Sequence, residues 1–155
     1  MSRIIAALCA FVLACTLALP ASASGGGLFY RAHVQNVGDT ATAFRAATAG
    51  TTGQSLRMEA LVVWGAPVEY RAYVQGIGWG PWTSADHWAG TRGQSLRAEA
   101  VQVRGTYALA DSWRIGCRAH VQNLGWLPEV FDGATCGTTG RSLRLEAVQL
   151  RLVAR

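Results

Sequence analysis

In residues 30–35 the chain alternates, with Tyr30, Ala32 and Val34 apolar against Arg31, His33 and Gln35. A period of two predicts a strand with one face in a core and one in water. The same beat returns at Tyr70, Ala72 and Val74 and again at Cys117, Ala119 and Val121. A second apolar segment follows each of these. In the last, Leu143, Leu145 and Ala147 share one face and Arg144 and Glu146 the other. Farther on, Val148, Leu150 and Leu152 move the apolar side onto the Arg/Glu face, so this strand is expected to bend or to pass between two layers. Residues 61–64, the turn Gly65-Ala66-Pro67 and residues 68–74 read as strand, turn, strand.

These segments belong to phrases that occur three times. Gly50-Thr-Thr-Gly-Gln-Ser-Leu-Arg-Met-Glu-Ala returns from Gly90 and from Gly137 with few changes, and a Tyr/Cys-Arg-Ala-His/Tyr-Val-Gln phrase starts at Tyr30, Tyr70 and Cys117. From His33 to Gly53, Tyr73 to Gly93 and His120 to Gly140 the interval is 20 residues each time. The chain is therefore three copies of one module, about 28–64, 68–104 and 115–152, and a period near 40 points to a repeat architecture. The end of each module is expected to pair with the start of the next. The last strand, about 143–152, should then meet the first, about 28–35, and remove exposed edges. The expected fold is all-β, a closed threefold pseudo-symmetric domain, β-trefoil-like or β-prism-like. Between modules two and three the connection 105–116 is longer by seven residues and contains Trp113, which reads as an extended hairpin.

Residues 1–23 read as a signal peptide: Arg3, an apolar run over 4–19, then Pro20-Ala-Ser-Ala23 with a cut expected after Ala23. The run is shorter than the roughly 20 residues of a spanning helix. Residues 24–155 are thus expected to be a single secreted, extracellular domain with no membrane contact after cleavage. The formal charge is +5, with Arg and no Lys. Those charges are dispersed rather than gathered in a stripe, which argues against nucleic acid. The Ala, Gly and Arg usage suggests a bacterial genome rich in GC.

Of the four Cys, Cys117 and Cys136 lie beyond the leader. Cys117 stands where the other modules have Tyr30 and Tyr70, and Cys136 where they have Ala49 and Ala89. A joint replacement at two positions is what spatial contact produces, so a disulfide is expected in an exported protein. Tyr30 should then pack on Ala49, and Tyr70 on Ala89. Two Cys so spaced, with no paired His nearby, do not make a metal site.

The pattern Tyr-Arg-x-His-Val-Gln-Asn-x-Gly-Trp, followed by Ala/Cys-Gly-Thr-Thr-Gly-x-Ser-Leu-Arg-x-Glu-Ala, resembles the clostridial hydrophobic W (ChW) repeat over residues 30–64, 70–104 and 117–152. The resemblance implies a binding module of a secreted bacterial protein, acting on polysaccharide or a cell surface, or through contact with another protein. Module one departs from the pattern, with Asp39 where Trp79 and Trp126 stand. Trp82, at the second Trp position, is replaced by Thr42 and Glu129.

Trp79 and Trp126 follow the Gly that ends the first strand, which places them in a loop. Asp39 at the same position argues that water reaches it, since an unpaired carboxylate sealed in a core costs several kcal/mol. Trp79, Trp82, Trp88 and Trp126 are therefore the candidate aromatic platform for a glycan or cell-surface polymer, or for an extracellular protein. His33, Tyr73, His120, Gln35, Gln75, Gln122, Asn36 and Asn123 are its candidate polar partners. Arg57 and Glu59, Arg97 and Glu99, and Arg144 and Glu146 share one side of their strands and read as structural ion pairs, with Arg31, Arg71 and Arg118 as further partners. The glycines at 50, 53, 90, 93, 137 and 140 read as turn positions. Ser55, Ser95 and Ser142 come in triplicate and carry no nucleophile-elbow signature. Glu129 and Asp132, three residues apart, read as solvated acids rather than a glycosidase pair. No catalysis and no cofactor are expected.

Overall fold

Each alternating segment forms the first long strand of its module in the computed structural model, which describes residues 26–155. The leader expected at residues 1–23 lies outside the described residues. Module one contains β1 (Phe29–Val34), β2 (Gly38–Asp39), β3 (Ala43–Phe44), β4 (Ala49–Gly50) and β5 (Met58–Trp64). Module two contains β6 (Val68–Val74), β7 (Gly78–Trp79), β8 (Thr83–Ser84), β9 (Ala89–Gly90) and β10 (Ala98–Gly105). A short helix α1 (Tyr107–Ser112) leads into module three, with β11 (Trp113–Val121), β12 (Gly125–Trp126), β13 (Val130–Phe131), β14 (Cys136–Gly137) and β15 (Leu145–Ala154).

The long strands pair within a module: β1 with β5, β6 with β10 and β11 with β15, all antiparallel. Residues 61–64 thus do not pair with residues 68–74 across Gly65-Ala66-Pro67, and that expectation is corrected. Return to the module's own first strand sets Tyr30 opposite Val63 and Ala32 opposite Leu61, so the buried side chains of both strands share one face. The modules join instead through short strands. β9 of module two adds to β5, β14 of module three adds to β10, and β4 of module one adds to β15. The result is three antiparallel five-stranded sheets, none closed on itself. Module three reaches module one through β4, not through β1 as expected.

The change of apolar face along the second strand has a local cause. In every module the ladder skips one residue, Glu59, Glu99 or Glu146, between Val34↔Met58 and His33↔Ala60 and at the equivalent places. This is a β-bulge, and one extra residue flips every later side chain to the other face. Leu145 and Val148 are therefore both fully buried although three residues apart. The bulged glutamates are buried too, at 3 to 5% exposure.

Where a lent strand crosses, glycine is required. A Cβ on Gly50 would strike the Glu146 carbonyl oxygen and lie 2.6 Å from Ala147 Cα, and Gly90 and Gly137 meet β5 and β10 in the same way. Gly53, Gly93 and Gly140 have open space around them and serve only a left-handed turn, with φ of 66 to 70°.

Cys117 and Cys136 form the expected disulfide, with Cα atoms 6.1 Å apart. Tyr30, Ala49, Tyr70 and Ala89 are buried in the same core cluster. The Tyr30 hydroxyl donates to the Ala47 carbonyl and accepts from the Leu150 N–H at 3.0 Å, tying module one to the last strand. The Tyr70 hydroxyl reaches the carbonyls of His87, at 2.6 Å, and Val63. Burial raises both phenol pKa values, with backbone hydrogen bonds opposing. A raised folded pKa gives stability that is complete below the ordinary tyrosine value near 10 and lost as pH climbs through the folded value. Tyr30→Phe should cost about 1–3 kcal/mol by stranding the Leu150 N–H. Combined with Tyr70→Phe it should remove the loss of stability above about pH 10. Urea titrations at neutral and alkaline pH check both, and an unchanged alkaline profile in the double variant would contradict the assignment.

The longer connection is not only an extended hairpin. The strand ladder does lengthen to Trp113↔Ala154. Residues 107–112, however, coil into α1, where Ala, Leu and Asp side chains suit a helix better than a pleated edge.

Candidate functional site

The residues that alternate with the core positions form an outer face on each hairpin, and equivalent rows can be compared between modules. The first row is Phe44, Phe29 and Trp64 in module one, Ser84, Glu69 and Arg104 in module two, and Phe131, Gly116 and Arg151 in module three. In module one it is an aromatic stack, with Phe29 centroids 4.9 Å from Phe44 and 6.0 Å from Trp64. Phe29, Phe44 and Trp64 escaped the sequence reading. Their signal was present, since Phe29 lies one step out of phase with Tyr30.

A further row pairs His33 with Asp39, Tyr73 with Trp79 and His120 with Trp126. Trp79 and Trp126 therefore sit in two-residue strands folded back on their own hairpin, not in a loop as expected. Backbone pairing holds them there, with each indole edge-on to its neighbour, at 5.4 Å from Tyr73 and 5.2 Å from His120. Trp79, Trp82, Trp88 and Trp126 are all half-buried.

Every one of these rings has a guanidinium over it. Arg71 lies 4.8 Å from the Trp79 centroid and 4.6 Å from that of Trp82, Arg104 lies 4.0 Å from Trp82, Arg92 4.6 Å from Trp88 and Arg118 5.5 Å from Trp126. Arg31, Arg71 and Arg118 do not join the buried glutamates, and that expectation is corrected. They bond to Thr42, Gln102 and the Leu127 carbonyl on the outer face. The bulge is the physical reason, because it turns the glutamates inward while the arginines of the first strand stay out.

Asp39 fills the Trp row with charge and is paired on two sides. His33 Nδ1 is 2.6 Å from it, and Arg92 of module two reaches both its oxygens at 3.1 Å. Thr52 and Thr139 stand where Arg92 does in the other modules. The exchange of Trp for Asp in one module thus accompanies an exchange of Thr for Arg in the next.

The glutamines go elsewhere. Gln35, Ser55 and Arg57 meet their counterparts from modules two and three around one depression of about 350 Å³. None of the candidate Trp residues lines it. Its arginines lie 2.7, 2.9 and 2.8 Å from Glu59, Glu99 and Glu146. His120 Nδ1 stands 2.9 Å from the second oxygen of Glu146, out of line for a formed hydrogen bond. Tyr73 replaces that histidine in module two, and the second oxygen of Glu99 is buried without a partner. Asn36 and Asn123 join neither group of side chains. They adopt φ of 61° and 64° in exposed turns where module two has Gly76, so turn geometry accounts for them.

Glu129 and Asp132 are engaged rather than merely solvated. Glu129 meets Arg151 in two short bonds that hold its carboxyl below the usual carboxylate range, against a smaller effect of burial. Asp132 accepts from the Ile115 N–H and from Arg155. A second hollow, of about 760 Å³ and mostly apolar, is lined by Leu28, Phe44, Leu109 and Trp113 and also by Gly26, the first described residue.

No curated protein and no solved structure matches the chain. The clostridial hydrophobic W pattern is matched three times, at residues 33–64, 73–106 and 120–154, once on each hairpin unit. These matches span more than half of the chain, which belongs to the clostridial hydrophobic W (ChW) repeat family.

Proposed function

We propose that the protein is a secreted, non-catalytic binding module that docks on carbohydrate or a bacterial cell-surface polymer. The observation that carries this reading is the set of half-exposed indoles on the outer faces, Trp79 and Trp126 held by strand pairing and, with Trp82, by arginine. Rings fixed before contact lose little conformational freedom on binding, and a sugar that stacks its C–H face on one takes the place of a guanidinium now lying over it. The neighbouring guanidinium groups add donors for hydroxyl oxygens. Contact with an extracellular protein is the second reading. It draws on the concentration of Trp and Arg, the residue types enriched where interfaces concentrate their energy.

The architecture belongs to the same proposal. Three separate sheets, each ending in a strand lent by a neighbour, support a closed β-prism-like arrangement over a β-trefoil-like one, whose long strands would share a single barrel.

Retention on insoluble polysaccharides in high salt tests the function. Trp79→Ala and Trp126→Ala should each weaken retention by about tenfold, the equivalent of about 1.4 kcal/mol, while circular dichroism stays native. Undiminished retention in the folded double variant would refute the aromatic platform. Capture of one defined protein with no glycan retention would establish the second reading, and turnover of a chromogenic glycoside would overturn both.

A further inference from the structure

We infer that the depression where the three modules meet is a binding site for one multivalent oxyanion, a polycarboxylate or phosphate group, separate from the outer aromatic faces. Arg57, Arg97 and Arg144 converge there, one from each module, with side chains only 20 to 22% exposed. Each gives its Nε hydrogen to one oxygen of its bulged glutamate, at 2.9 to 3.0 Å, and its Nη2 lies 2.7 to 2.9 Å from that same oxygen without an aligned hydrogen bond. Among the described residues, the Nη1 group of none of them donates to protein. The glutamates thus fix the three guanidinium groups and still leave donors unused. The three glutamates balance the arginine charges, so what the depression offers an anion is the guanidinium N–H groups that the glutamates do not take up. The volume, about 350 Å³, is at the low end for a small-molecule site.

The serines supply an independent observation. Ser55, Ser95 and Ser142, which contribute to the same lining, adopt φ of 56, 57 and 56°. That region is uncommon for any residue but glycine, asparagine or aspartate. Two residues earlier the chain does use glycine, at Gly53, Gly93 and Gly140, each with φ near 70° and open space around it. Glycine therefore stands where the turn alone matters, while a hydroxyl is kept at a strained position in all three modules. Strain of this kind concentrates at functional sites. The pattern of donors without fixed acceptors selects an acceptor-rich ligand rather than a cation or an apolar group.

Isothermal titration of the purified protein with trisodium citrate and with inorganic phosphate, at constant ionic strength in chloride, tests the site. The expected result is saturable binding of one anion per chain. Tighter binding of citrate identifies a polycarboxylate ligand, and tighter binding of phosphate a phosphate-bearing one. The triple variant Ser55→Gly, Ser95→Gly, Ser142→Gly relieves the backbone, so its Tm should not fall, yet it should bind at least tenfold more weakly. Arg97→Lys, which keeps the charge and loses the planar fork, should weaken binding similarly. Trp79→Ala should bind the anion as the parent does, whatever becomes of its glycan retention. Failure of both anions to saturate, a stoichiometry of three, or unchanged affinity in the serine and arginine variants would overturn the assignment, as would loss of anion binding in Trp79→Ala.

Discussion

Gly50→Ala should destabilise the protein by about 2–5 kcal/mol, the sum of a forced backbone displacement and of a side chain in a left-handed conformation. Gly90→Ala and Gly137→Ala should do the same. The added methyl group would meet backbone atoms of the neighbouring module, which cannot rotate away as the end of a side chain can. Gly53→Ala, Gly93→Ala and Gly140→Ala are the internal controls. Their φ is also positive but nothing lies within 4 Å, so only the conformational cost of about 1–2 kcal/mol remains. Urea unfolding midpoints distinguish the two sets. If the Gly50, Gly90 and Gly137 variants were no worse than the controls, the short strands would not be closely applied to the neighbouring hairpins.

Replacing both cysteines, Cys117→Ser with Cys136→Ser, should lower stability by about 2–5 kcal/mol. The bridge spans a sequence separation of 19 within module three and secures β11 to β14, and β14 in turn is the strand lent to module two. Dithiothreitol should lower the Tm of the parent towards that of the variant and leave the variant itself unmoved. A sharper outcome follows from the repeats. Cys117→Tyr with Cys136→Ala restores the pair found in the other modules, where Tyr30 and Tyr70 use their hydroxyls to hold neighbouring carbonyls. That variant should recover part of what the serine variant loses. No recovery would mean that the third module is not built like the other two.

The disulfide was legible because the chain carries its own alignment: two positions 19 residues apart change together, and only contact explains that. The three strands with period two were legible for the same reason that all amphipathic strands are. Pairing order was not. The turn Gly65-Ala66-Pro67 suggested a local hairpin, whereas β5 returns to a strand about thirty residues earlier, and alternation reports which face is buried but not which edge is bonded. The shift of apolar face beyond Glu146 was visible, yet a bend, a layer crossing and a bulge all produce it. Asp39 at a Trp position correctly pointed to water. Its partner Arg92 was missed because it comes from the next module along, 53 residues away. The guanidinium groups over Trp79, Trp82 and Trp126 left no trace in spacing, since long side chains choose their partners only after the sheets are placed.

Each module gives a short strand and receives one, so the three junctions are of the head-to-tail kind that closes only when the turns sum to a full circle. Three separate identical subunits could make the same figure, but any change would then appear at every junction at once. Covalent tethering lifts that restriction. Two boundaries keep a phenol that reaches the neighbouring module's long strand, one of these has added a carboxylate and an arginine, and the strand lent across the third is fastened by sulfur. A single polypeptide has thereby been free to individualise boundaries that symmetry would have kept alike.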